Sequence, residues 1–315
     1  MRTATLAAAL LAALTVSAAE PRPFTEEKLA DGVHLFRPTD PASARSNSLV
    51  VVRQDGLLVV DAQPTPEAAR ELLAAVKAVS PLPVRYLVLT HPHAEAAGGA
   101  SAFPDSTLLV ASAGCRFAMA DRTYDFGAEA RRRAKDPDAW REPERRLPVL
   151  SLTAATTLED PKHAVVLVPV PRAHTRGDLL VSIPDAGVLA VGHLVSSARN
   201  PFPGDASLGG WMVVLNDMEE QGAKTLVPLD GPALDPRQAL MLRDSLLWVK
   251  GQVLQLFVDR AAPGTMAERV ASAPDAAKFF AVDATPSYLR EVADTAVREA
   301  DADRRKRGYD LLGNP

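Results

Sequence analysis

Cysteine is almost absent from this chain, because Cys115 is the only one among 315 residues. With a single thiol the chain cannot form an internal disulfide. The apolar neighbours of Cys115 predict a buried thiol rather than a catalytic one. The length is sufficient for one large core or for two small domains.

Long hydrophobic runs are also rare. The run near the start of the chain, from about Leu6 to Leu14, is too short for a membrane span, which needs ~20 apolar residues. It follows Arg2 and precedes the small residues SAA, which is the pattern of a secretory signal peptide. We therefore predict a signal peptide over residues 1–19, a periplasmic or secreted protein, and no stable membrane insertion.

Charge of one sign is not concentrated anywhere in the chain, whose formal net charge is −4. A nucleic-acid-binding protein would carry a basic stripe, and none is present with interleaved aromatic residues. The runs RRRAK at 131–135 and DRRKRG at 303–308 lie beside acidic residues, so they are predicted to be solvated helix faces. Nucleic acid is therefore excluded as a partner.

Several catalytic motifs are missing. The chain has no G-x-S-x-G elbow and no S-x-x-K pair, which leaves serine-hydrolase chemistry without a visible nucleophile. It has no G-x-G-x-x-G turn and no P-loop, which excludes the common ways of holding a nucleotide. A repeat of solenoid period is absent too.

The chain does contain alternating strands and helices. The segments NSLVVVRQDG and LLVVDAQ flank a turn and predict a hairpin. Thr65 and Pro66 then begin a predicted helix, and the apolar run at 84–90 predicts a strand that is covered on both faces. Strand, helix and strand form a βαβ unit, and open α/β sheets place ligands at the carboxyl ends of such strands.

The remaining segments complete one domain. The polar stretch PRPFTEEKLADGV is predicted to be a lead-in, and further strands and helices follow the βαβ unit. Two helices are predicted from about residue 236 to the end of the chain. We therefore expect a single α/β domain over residues 20–315.

Two histidines, His91 and His93, come directly after the strand at 84–90, in THPHAEAAGG. Side chains at positions i and i+2 of an extended chain point the same way, so both imidazoles can converge on one ion. His174, in PRAHTRGDL, also follows a predicted strand. Three imidazoles suit Zn²⁺ in an open catalytic site that keeps one position for water.

The order of five segments resembles that of the metallo-β-lactamase superfamily. The segments are LLVVDAQ, VLTHPHAEAAGG, PRAHTRGDL, GVLAVGHLV and TLVPLDG, and they cover roughly residues 33–232. The resemblance implies a four-layer αββα sandwich of two mixed β-sheets flanked by helices, with one or two metal ions at a sheet edge. It also implies that His91, His93 and His174 form the first metal site, while Asp61 supports the ligands without binding the ion.

The sequence departs from the family pattern at the second metal. Glu95 stands where the family has an aspartate, and Ala96 where it has a histidine. His193 replaces the usual bridging aspartate, and Asp230 replaces the histidine of the last motif. The ligands of the first site are therefore retained, whereas every usual ligand of the second is changed or lost.

The altered residues leave three interpretations open. In the first, the three histidines hold one Zn²⁺, Glu95 acts as general base, and Asp230 orients the water or the substrate. In the second, Glu95, His193 and Asp230 hold a rearranged second ion. In the third, the chain is a non-catalytic relative that binds a metal, a ligand or a partner. If His193 became a fourth ligand of the first ion, that site would be closed and structural.

The resemblance implies a hydrolase. We expect an exported zinc-dependent enzyme in which metal-activated water attacks an ester, lactone, amide or related bond of a small-molecule substrate. Relatives with mononuclear iron use two histidines and a carboxylate, and three imidazoles favour zinc over that arrangement. The segments from Tyr124 to Trp140 and from Asn200 to Trp211 are predicted to form the pocket wall, because loops over sheet ends set specificity. Protein partners are not predicted.

Overall fold

The structure is a computed structural model that describes residues 22–198, 200–276 and 285–306. The predicted signal peptide, residues 1–19, lies outside the described residues. Among the helices that are described, none has both the length and the apolar character needed to cross a bilayer.

The first part of the chain forms a sheet whose strands lie side by side in sequence order. These strands are β1 (Phe24–Ala30), β2 (Val33–Pro38), β3 (Ser48–Val52), β4 (Leu57–Val60), β5 (Val84–Val88), β6 (Leu108–Ser112) and β7 (Leu150–Leu152). The strands β1 to β4 pair antiparallel, and β4 to β7 pair parallel. The predicted hairpin is confirmed as β3 and β4, in which Leu49 pairs with Val60.

A second sheet follows, in the order β12-β11-β10-β9-β8. Its strands are β8 (Thr156–Leu158), β9 (Val165–Pro169), β10 (Leu179–Ile183), β11 (Val188–Gly192) and β12 (Thr225–Pro228). Only the pair β11 and β12 is parallel within this sheet. Both sheets are therefore mixed.

Helices cover the outer face of each sheet. They are α1 (Pro66–Val76), α2 (Ala94–Ala97), α3 (Ala113–Ala120), α4 (Ala128–Arg133), α5 (Leu208–Asp217), α6 (Arg237–Val258), α7 (Pro263–Ala271) and α8 (Pro286–Lys306). The predicted start of α1 is confirmed, because the Thr65 hydroxyl accepts a hydrogen bond from the backbone N–H of Ala68 at 3.2 Å. Such a cap satisfies one of the helix's free N–H groups.

The strands of the first sheet are apolar on both faces. In β3, Leu49 and Val51 point into the core between the two sheets, whereas Val50 points into the core beneath α1. Successive side chains of a strand point to opposite faces, so a continuous apolar run is what a sheet covered on both sides requires. Val181 and Ile183 of β10 line the same inter-sheet core from the second sheet.

A third core lies on the outer face of the second sheet. Leu189 and Val191 of β11 pack there against a cluster that includes Trp211 of α5 and Val249 of α6. Helix, sheet, sheet and helix are thus stacked in order. The predicted four-layer αββα sandwich is confirmed.

Candidate metal centre

The ends of three strands bring the predicted histidines to one edge of the sandwich. His91 and His93 follow β5, His174 lies in the loop between β9 and β10, and His193 comes directly after β11. The backbone N–H of Leu179, at the start of β10, donates to the carbonyl of Thr90 at 2.8 Å. This bond ties the two sheets together beside the cluster.

The three histidines predicted for the first metal site lie together. Each of His91, His93 and His174 offers a ring nitrogen, and these nitrogens lie within 4.8 Å of one another. Their ring centroids are 5.1 to 5.2 Å apart, and none of the three is more than 1% exposed. The arrangement therefore has the ligand type and the convergence that a zinc site needs.

Glu95, on α2, points its carboxylate into the same cluster. Its Oε1 lies 3.3 Å from His91 Nε2, 3.3 Å from His93 Nδ1 and 3.4 Å from His193 Nδ1. Two ligand atoms of a tetrahedral zinc ion, each 2.0–2.1 Å from the metal, are separated by roughly 3.3 Å. Glu95 and His193 also form a second candidate ligand group, which shares His91 with the first.

Short-range packing fixes α2, which carries Glu95. An added Cβ on Gly99 would lie 2.1 Å from the carbonyl oxygen of Ala62, in the segment after β4. The Ala62 N–H donates to the carbonyl of Ala96 at 2.6 Å. Only glycine permits this close approach of two backbones. The approach fixes α2, and with it Glu95, against the end of β4.

A hydrogen-bonded chain orients His91. Its Nδ1 lies 3.0 Å from Thr90 Oγ1, and that hydroxyl donates to Asp61 Oδ2 at 2.8 Å. Because the hydroxyl proton is used on Asp61, we assign the ring proton to Nδ1, which leaves the Nε2 lone pair facing the cluster. Burial lowers the pKa of His91 to about 3, which keeps this ring neutral. Asp61 supports the ligand without entering the cluster.

A carboxylate that sequence reasoning did not identify orients His93 from the side of the ring that faces away from the cluster. Its Nε2 donates to Asp205 Oδ2 at 2.9 Å, and the Tyr124 hydroxyl donates to the same oxygen at 2.7 Å. Burial alone would lower the pKa of His93, but Glu95 and Asp205 outweigh it and raise the pKa to about 10. An ion bound at Nδ1 would therefore have to displace a proton.

Asp230 belongs to neither candidate ligand group among the described residues. Its Oδ2 lies 2.7 Å from His193 Nε2, and both of its oxygens accept hydrogen bonds from Arg133. A histidine whose outer N–H is held by a carboxylate presents its other nitrogen in a fixed direction. The structure thus places Asp230 behind His193, whose Nδ1 faces Glu95.

The prediction that RRRAK is a solvated helix face is wrong for Arg133. Its side chain is only 4% exposed, while that of Arg132 is 39% exposed. Arg133 ends α4 on the side that faces the cluster, where Glu129, one turn earlier, and Asp230 balance its charge. The order of charges in the sequence does not show which of three successive arginines points inward.

Several buried atoms of the cluster lack a hydrogen-bond partner among the residues that the structure describes. They are His93 Nδ1, Glu95 Oε2, both ring nitrogens of His174, and His193 Nδ1. Unpaired buried polar atoms are rare and costly in folded proteins. His174 Nδ1 lies 3.7 Å from Asp178 Oδ1. A bound cation would satisfy those atoms of the set that face the cluster, so the residues fit a metal ion.

Replacing Asp205 with alanine is expected to weaken metal binding by about 10–100-fold, the usual effect of losing a carboxylate behind a histidine ligand. The measurement is a competition titration with a chromophoric chelator. Tyr124→Phe is the matched control, because it removes the other hydrogen bond to the same oxygen and leaves the bond to His93 in place. An affinity of Asp205→Ala equal to that of Tyr124→Phe would show that this carboxylate does not position His93.

The chain was compared with known families and structures. The profile of the metallo-beta-lactamase superfamily matches residues 44–230, more than half of the 315-residue chain. No curated protein sequence matches. A metallo-beta-lactamase from Pontibacter korlensis has 21% identity and a TM-score of 0.57, over 69% of this chain and 95% of that one.

Two further structures are similar. FIM-1, a metallo-beta-lactamase from Pseudomonas aeruginosa solved in a mono-zinc form, has 20% identity and a TM-score of 0.53, over 72% of this chain and 98% of its own. The sec-alkylsulfatase Pisa1 from Pseudomonas sp. has 14% identity and a TM-score of 0.69 over 88% of this chain, which spans 50% of that enzyme. At these identities the likeness shows the fold alone. The family match and the fold agree, and the chain belongs to the metallo-β-lactamase superfamily.

Proposed function

We propose that this protein is a zinc-dependent hydrolase in which His91, His93 and His174 hold the ion. The observation that supports the proposal is the convergence of three buried imidazoles on one point. Two of them, His93 and His174, have ring nitrogens that lack a hydrogen-bond partner in the described part of the chain. Zn²⁺ bound there would supply a Lewis acid and an activated water nucleophile. The substrate class is a small molecule with an ester, lactone, amide or related bond.

In this proposal Glu95 is the general base. Burial raises the pKa of a carboxyl group, but the three histidines around Glu95 outweigh burial and lower its pKa well below the ordinary value. The group is therefore a carboxylate, and its Oε2 is available to take a proton from the attacking water. Asp230 acts at a distance, by holding His193.

The proposal includes export. It is supported by the leader over residues 1–19, with Arg2, a short apolar run and small residues before the cleavage point.

A second candidate function is that of a non-catalytic metal-binding relative. It is favoured by the burial of the cluster, in which no ligand candidate is more than 4% exposed. Glu95 Oε1 also lies 3.3 Å from ring nitrogens of both His91 and His93, which places a potential fourth protein ligand beside the ion, as in closed structural zinc sites.

One experiment separates the two functions. Metal content and hydrolysis of a panel of esters, lactones, β-lactams and phosphoesters are measured for the native protein, His91→Ala and Glu95→Ala. For a hydrolase we expect a zinc-dependent activity that His91→Ala abolishes, and that Glu95→Ala lowers by about 10²–10⁴-fold while it keeps its metal. A zinc-loaded native protein that hydrolyses nothing supports the binding function, and a native protein without affinity for zinc contradicts both.

A further inference from the structure

The buried charge with the most partners beside the metal cluster is the guanidinium of Arg133. Its Nε donates to Glu129 Oε1 at 2.8 Å, and Nη1 and Nη2 donate to the two oxygens of Asp230 at 3.1 and 2.6 Å. Nη2 also lies 2.8 Å from His193 Nε2. This bidentate contact with Asp230 is the strongest geometry available to an arginine–carboxylate pair.

Arg133 stands among the residues that sequence analysis assigned to a second ion. Of Glu95, His193 and Asp230, the last two contact the guanidinium directly. Arginine stays protonated in proteins, so its charge is permanent. A divalent cation bound to Asp230 would be a few ångströms from this charge in a buried setting, where repulsion is weakly screened.

The guanidinium is not available to a substrate. Its side chain is 4% exposed and is paired with two carboxylates, those of Glu129 and Asp230. A buried charge of this kind is stable when it is paired and hydrogen-bonded on several sides. Its position therefore points to a role inside the site.

We propose that Arg133 is a built-in cation that takes the place of the second metal ion, so that the centre holds one ion. Arg133 holds Asp230 and Asp230 holds His193, so a permanent positive charge lies directly behind the group of His91, Glu95 and His193 and disfavours a further ion there. This inference rests on the metal binding of the proposed function and is independent of hydrolysis.

Removal of the guanidinium tests the inference. Without it, no permanent positive charge lies behind His193, and the candidate group of His91, Glu95 and His193 offers a carboxylate and two imidazoles, which suit a divalent cation. We expect the native protein to bind one zinc per chain in excess zinc, and Arg133→Met, which keeps the apolar bulk of the stem, to bind two. The double variant Arg133→Met with Asp230→Ala should bind one again.

Two controls are matched to this variant. Arg132→Ala removes the neighbouring arginine of α4, which is 39% exposed and also pairs with Glu129, and should leave the stoichiometry at one. Arg133→Lys keeps a positive charge and should bind one. Elemental analysis after gel filtration gives the number of zinc ions per chain. Thermal unfolding with and without zinc gives a second readout, in which zinc should raise the melting temperature of Arg133→Met more than that of the native protein.

The outcomes are distinct. A native protein that binds two ions overturns the inference, whether or not Arg133→Met folds, and a native protein that saturates at one supports it. A folded Arg133→Met that stays at one ion also overturns it. If the native protein binds no zinc, the proposed metal centre fails and the inference fails with it.

Discussion

Replacing Trp211 with alanine is expected to lower the free energy of unfolding by about 3–5 kcal/mol, the usual effect of truncating a large buried side chain. Trp211 is fully buried on α5, in the core outside the second sheet. Its indole N–H donates to the carbonyl of Leu194 at 2.9 Å, so truncation leaves both a cavity and an unpaired buried acceptor. Denaturant unfolding followed by circular dichroism measures the change.

The matched control for this variant lies on the same helix. Val213 is 53% exposed, and Val213→Ala should change the free energy of unfolding by no more than about 0.5 kcal/mol. If Trp211→Ala and Val213→Ala lowered the free energy of unfolding by the same small amount, the packing of α5 described above would be wrong. The indole also lies 5.4 Å from the ring of His174, so Trp211→Ala should loosen the metal cluster as well.

Replacing His174 with alanine is expected to weaken zinc binding by more than about 100-fold, because removing a ligand exceeds the 10–100-fold effect of removing a group behind one. Both ring nitrogens of His174 lack a hydrogen-bond partner in the described part of the structure. Its ion-pair contact, from Nδ1 to Asp178 Oδ1, is long at 3.7 Å, so the loss should appear mainly in metal affinity. Isothermal titration with zinc measures it.

His34→Ala is the control for that variant. His34 lies on β2, where its Nδ1 is 2.7 Å from Glu26 Oε1 of β1, outside both candidate ligand groups. The His34→Ala substitution removes an imidazole from the same protein and should leave the zinc affinity unchanged. Equal affinities of the native protein and His174→Ala would remove His174 from the proposed centre.

Sequence patterns predicted the elements that are buried on both faces. The apolar runs of β3, β4 and β5 were recognisable because each face of the first sheet is covered. The strand β1 was predicted wrongly as a polar lead-in. Of its residues only Phe24 is buried, so this strand at the edge of the sheet shows neither an apolar run nor a clear alternation.

Without the family resemblance, the candidate site was predictable only where its residues are close in sequence. His91 and His93 share one strand end, and their spacing allows both rings to reach a common ion. The carboxylates that orient His93 and His193 are distant in sequence, since Asp205 lies 112 positions after His93, and Asp230 lies 37 after His193. No spacing rule connects residues so far apart, and the burial of Arg133 follows from the tertiary position of α4.

The burial of the cluster bears on how an ion would enter and leave. His91, His93, Glu95, His174 and His193 are each at most 1% exposed. Passage between solvent and these side chains requires a transient local opening of the residues that cover them, and such openings are much slower than diffusion. The residence time of an ion would then depend on how often the protein opens, so that even a modest ligand set could retain its ion throughout the lifetime of the folded chain.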